Sequence, residues 1–164
     1  RSTLFPYTTL FRSAIEDMAD DETLTAIEQA LEHFGGTGTR VYAAIRAAQE
    51  GAKQARGTAV RLHKACERHD QLWCGGVVVC AGSGIAALRH SPRMGLLRRP
   101  FSEAMDKLVG AVRMGCSVEH AQRLGGGNAG SVDDGGMVRA RPAVPALIWR
   151  AIIKRLGARA QSDI

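Results

Sequence analysis

The sequence predicts a mainly α fold: a small helical domain with one short, glycine-rich apolar strand and turn near residues 76–84 and a flexible glycine-rich linker at 125–136. Three observations predict it. Apolar residues recur at helical spacing in four separate segments. Capping and stopping residues bracket those segments. The run with the composition of a strand, Val77-Val78-Val79, is bounded by Gly75-Gly76 and Gly82-Ser83-Gly84.

Thr3 to Ser13 read Thr-Leu-Phe-Pro-Tyr-Thr-Thr-Leu-Phe-Arg-Ser, a string similar to the in-frame translation of a widely used short-read sequencing adapter, and Arg1-Ser2 repeats its ending. Residues 1–13 are therefore set outside the fold. The first methionine is Met18, so the natural start is expected to lie outside this sequence. The expected organisation is a helical domain over 14–124, a flexible linker over 125–145, and a basic amphipathic helix and tail over 146–164.

The first helix follows a cap at Asp20 or Asp21. Leu24, Ile27, Leu31 and Phe34 share one face, and Gly35-Gly36 stops it. A second helix is expected from a cap at Thr39 to about His69. Val41, Ile45, Ala48, Ala52, Ala55, Ala59 and Leu62 lie along one side, with Gly51 and Gly57 as weak points that divide it. The alanine-rich side would admit a close partner helix, which makes helix–helix self-association one expectation.

Residues 71–88 carry no charge. They read as a strand, Gly76 to Cys80, that turns through glycines into a short helix limited by Pro92. The alternative is a single transmembrane span over 71–88, with Arg89, Arg93, Arg98 and Arg99 following it on the cytoplasmic side. Four glycines, a glutamine and a serine make that span marginally hydrophobic.

Pro100 and Ser102 introduce a helix with Phe101, Met105, Leu108, Val109 and Val112 on one face, ending near Gly115. Ser117 caps a short helix, Val118 to Leu124, stopped by Gly125. Residues 125–136 hold six glycines and read as a connection. From Ala146 to Leu156, Ile148, Trp149, Ile152, Ile153 and Leu156 oppose Arg150 and Lys154, a basic amphipathic pattern. High-GC DNA translated out of frame also yields chains rich in glycine, arginine and alanine; the regular helical patterns at 102–114 and 146–156 argue against that origin.

Charge is polarised along the chain. Residues 14–35 hold seven carboxylates and no Lys or Arg, whereas 71–164 hold thirteen Lys or Arg against six carboxylates, within a net charge of +6. Such asymmetry points to DNA or another anionic partner, or to the acidic segment as the partner of the chain's own basic part.

Four motifs bear on function. His63, Cys66 and His69 fall on one helical arc with Cys74 just beyond, a drawable zinc set whose order matches no standard finger; buried free thiols are the favoured expectation. Gly82-x-Gly84-x-x-Ala87 after an apolar strand resembles the phosphate-binding fingerprint of flavin and nicotinamide Rossmann proteins. That resemblance implies a fragment of an FAD- or NAD-binding oxidoreductase, with Gly82, Gly84 and Ala87 at the cofactor. It departs at Cys80-Ala81, at Pro92, and in lacking a second strand that ends in an acidic residue. The helix, turn at Gly115-Cys116, and helix with Ala121 and Gly125 look like the first part of a helix-turn-helix of the transposase or resolvase type. In that reading Arg113 and Arg123 contact phosphates, but residues 126–134 make a poor recognition helix.

No serine sits in a nucleophile elbow and no HExxH or paired-cysteine zinc signature occurs. The expectation is a cytoplasmic, non-enzymatic, basic helical binding protein without cofactor or metal, with DNA as the leading partner. The oxidoreductase fragment and the single-span membrane protein are its alternatives.

Overall fold

The computed structural model describes residues 21–34, 36–48, 52–82, 84–88, 91–126, 132–133 and 135–162. Among them are six helices and one three-stranded parallel sheet, so the fold is an α/β mixture and not mainly α. The element that overturns the expectation is β1, Arg40–Ala47, in the stretch that reads as the first third of a long helix. Its alanines favour a helix locally, but Val41, Tyr42 and Ile45 suit a strand, and pairing with the next strand decides the contest. Ala43, Ile45 and Ala47 are buried on one side of it.

The first helix, α1, Asp21–Phe34, lies where the sequence places it, with Asp21 and Glu22 in its first turn. What remains of the long second helix is α2, Ala52–Arg68. Its small side chains Ala55, Ala59 and Ala65, with Leu62 and Cys66, pack onto the sheet. The alanine face therefore meets the chain's own strands.

β2, Leu72–Cys80, is the central strand and pairs in parallel with β1 and with β3, Met137–Ala140. Residues 71–88 are thus not a membrane span but a buried strand, a turn and a four-residue helix, α3, Gly84–Ala87. No helix among the described residues is long and apolar enough to cross a membrane. The β1–β2 register shifts between Val41 and Ala43, and two glycines make the irregularity fit. Gly75 has φ +81°, and a Cβ there would fall 2.3 Å from the Gly136 carbonyl oxygen; at Gly76 it would fall 2.1 Å from that of Ala43.

β3 lies inside the stretch expected to be a linker. Asp133 anchors its entry: Oδ1 accepts from the amides of Gly135 and Met137, each at 3.1 Å, and Oδ2 accepts from Arg139 at 3.3 Å. Trp73 donates from Nε1 to the Gly135 carbonyl at 2.8 Å, tying the same loop to β2.

The crossover from β2 to β3 holds α3, then α4, Arg99–Met114, and α5, Val118–Leu124. Gly115 closes α4 in the left-handed conformation at φ 63°, and Ser117 Oγ accepts from the His120 amide at 3.2 Å to cap α5. α6, Ala146–Ser162, ends the described chain. Two cores result. On one face α1 and α2 bury Ile45, Val78, Cys80 and Met137; on the other α4, α5 and α6 bury Val77, Leu88, Val138 and Ala140.

Both connections step the same way across the sheet, β1 to β2 to β3, yet α2 covers one face and α4 with α5 the other. Exchanging the face exchanges the hand of a crossover. One of the two is therefore left-handed, contrary to the usual rule for parallel strands.

Candidate functional site

In open α/β sheets ligands sit at the carboxyl ends of the strands, and here the glycine turn after β2 occupies that edge. Gly82 has φ +53°, its amide donates to the Ala47 carbonyl at 2.9 Å, and the nearest atom to a Cβ there would be the Ala48 Cα at 3.9 Å. Gly84 is different. A Cβ on it would lie 2.9 Å from Ile153 Cγ1 and 3.2 Å from Trp149 Cζ2, so α6 fills the space over the start of α3. Trp149 is itself buried and tilts against Phe101 with ring centroids 5.8 Å apart. Ala87 ends α3, and Leu88 beyond it is buried.

The four drawn metal ligands scatter. Cys66 points into the core between α2 and the sheet, and burial pushes its thiol up to about 11. His63 lies over the Trp73 ring with centroids 5.9 Å apart, and its Nε2 is 3.7 Å from Glu67. His69 follows the end of α2. Cys74 sits near Tyr42, and its thiol is raised by burial. No group of three or more His, Cys, Asp or Glu able to hold a metal ion occurs among the described residues.

The Tyr42 hydroxyl donates to the Cys116 carbonyl at 3.1 Å, joining β1 to the turn between α4 and α5. Desolvation raises that phenol to about 12, so it stays a donor at all ordinary pH. Arg113 and Arg123 are exposed in the last turns of α4 and α5, and Arg123 pairs with Glu119. Gly125 follows α5, and most of the stretch weighed as a recognition helix, residues 127–131 and 134, lies outside the described residues. Comparison with protein-family models, curated proteins and solved structures finds no match for this chain.

The charges arrange themselves in a way the sequence only hinted at. Arg61 donates to Glu28 at 2.5 Å, reaches Asp21, and meets Thr25 Oγ1 at 3.2 Å, while Arg68 meets Glu28 at 3.2 Å. The acidic first helix is thus bound to the basic α2. In the second half, each described carboxylate is also taken: Glu103 by Arg99, Asp106 by Arg93, Glu119 by Arg123 and Asp133 by Arg139. Among the described residues, Lys107, Arg113, Arg141, Lys154 and Arg155 have no ion-pair partner. Lys107 is partly buried in the α4–α5 groove, against Gly125, and that burial lowers its pKa. Which carboxylates would be spent could not be read from the sequence, because the pairs at Arg93–Asp106 and Arg139–Asp133 depend on loops whose paths no periodicity fixes.

Proposed function

We propose that this chain is a non-enzymatic α/β binding protein whose anionic partner is DNA, contacted through the α4–α5 side. One observation carries the reading: among the described residues, the carboxylates of the second half are consumed by arginines, leaving Lys107, Arg113 and Arg141 as positive charge around α4, α5 and the exit of β3. Arg113 and Arg123 contact phosphates in this reading, Arg123 exchanging an exposed carboxylate for one. Such pairs are individually weak, about 0.2–1 kcal/mol, so the exchange costs little. Fluorescence anisotropy with duplex DNA tests it. About three phosphate contacts predict a roughly 40-fold loss of affinity between 50 and 200 mM salt. Arg113→Ala and Arg123→Ala should each reduce the salt slope by about one. Absent or salt-insensitive binding sinks the proposal.

A second reading, a fragment of an FAD- or NAD-binding oxidoreductase, has its own supporting observation: Gly82 to Ala87 join a parallel strand to the start of a helix. Against it stand the four-residue length of α3 and the Ile153 and Trp149 side chains over Gly84. A dinucleotide there requires α6 to move. Titration with NAD and FAD, followed by Trp fluorescence, decides: saturable quenching at micromolar ligand supports this reading, and unchanged emission removes it.

A further inference from the structure

The amphipathic C-terminal helix does not use all of its apolar surface on its own core. Trp149, Ile153 and Leu156 pack inward. The opposite side of α6 carries Leu147, 79% exposed, and Ile148, 51% exposed, together with the exposed cations Arg150, Lys154 and Arg155. No acidic residue occurs along Ala146–Ser162. Two large apolar side chains in the first turn of a helix whose own charges are all positive are costly to leave in water and meet no repulsion from that helix at an anionic surface.

The surroundings share this character only in part. Ala143, four residues before Leu147, lines the same groove of about 810 Å³ as Leu96, Met114 and Leu124, which also holds the Glu103 and Asp106 carboxylates beside Arg99 and Lys107. Leu96, Met114 and Leu124 are themselves more than half exposed. α6 thus starts beside a groove where exposed apolar side chains alternate with charged ones, so apolar insertion is confined to α6 itself.

We propose that the outward face of α6 docks on an anionic lipid bilayer, with Leu147 and Ile148 entering the acyl boundary and Arg150, Lys154 and Arg155 lying among the headgroup phosphates. The pairing of apolar insertion with cationic attraction is what an interfacial helix requires. Duplex DNA offers phosphates to the same cations but nothing that rewards burying Leu147. That asymmetry favours the bilayer for this face and makes the two separable by experiment.

The test is co-sedimentation of the full chain with phosphatidylcholine vesicles, with and without about 30% phosphatidylserine. Binding is expected only to the anionic vesicles. The double variant Leu147→Gln/Ile148→Gln should weaken it at least tenfold while leaving DNA affinity unchanged, and Lys154→Glu/Arg155→Glu should abolish it. All four side chains are exposed or charged and outside the core, so circular dichroism should show native helix content in both variants. No vesicle binding, equal binding to neutral vesicles, or full binding by the Leu147/Ile148 variant overturns the proposal. So does loss of DNA affinity with the Leu147/Ile148 pair, since that makes the face a nucleic-acid surface. Because Arg113 and Arg123 are on other helices, failure of the DNA reading leaves this result unaffected.

Discussion

Glu28 shows how a single side chain ties together a chain of opposite charges. It accepts from both Arg61 and Arg68, and the Arg61 hydrogen bond holds its carboxyl below the ordinary value of 4.5 against the opposing effect of burial. A carboxylate with a lowered folded-state pKa contributes stability that is fully present above its unfolded value and disappears as pH falls through the lower, folded one. Glu28→Gln should therefore have a lower thermal midpoint than the parent at pH 7. The gap should begin to narrow as the pH drops below 4.5 and close only below the lower, folded value, where the parent also loses the charge. A gap that persists unchanged into acid would mean the side chain acts through packing alone. That the acidic segment could pair with the chain's own basic part was legible from charge asymmetry; that the partner is α2, with Arg61 reaching Asp21, Thr25 and Glu28 together, needed the helices to lie side by side.

At the scale of elements, α6 and α3 depend on one glycine. Gly84 lets Ile153 approach closer than a Cβ would allow, with Trp149 at a distance that a Cβ would crowd. Gly84→Val should displace α6 from its seat, with the buried Trp149 becoming wet. A red shift of tryptophan emission and faster proteolysis after residue 145 are the expected outcomes; an unshifted spectrum would show that α6 is held by its other contacts. The second tryptophan, Trp73, hydrogen-bonds Gly135 on the far side of β2, so Trp73→Phe serves as the background that isolates the Trp149 signal. α1, α4, α5 and α6 were legible because each carries a periodic apolar face and a boundary signal such as Ser117 or Gly115. β1 was not, since Ala43, Ala44 and Ala47 in a strand buried most deeply on one face spell the same pattern as a small-residue helix. Nor was β3, whose four residues are too few to show any period and whose entry relies on the Asp133 side chain.

The whole molecule is a sandwich in which one strand serves two cores. β2 sends Val78 and Cys80 to the α1–α2 side and Val77 and Val79 to the α4–α6 side. This double burial explains why its sequence is a continuous apolar run rather than an alternating one, and why the same run imitates a membrane span. The opposite hands of the two crossovers follow from using both faces while stepping in one direction. The three strands among the described residues gain both cores this way, at the cost of the usual coupling between strand twist and crossover hand.

The sequence by itself determined the helices with periodic faces, the caps at Ser117 and Gly115, the apolar strand around Val77–Val79 and the polarised charge, because each is a local property of neighbouring residues. The tertiary structure alone decided that residues 40–47 form a strand, that 137–140 complete the sheet, that α6 lies over Gly84, and which cations remain unpaired. These rest on contacts between residues far apart in the chain. Parallel pairing, close backbone approach and the spending of charge have no local signature, since the partner that makes each favourable lies dozens of residues away.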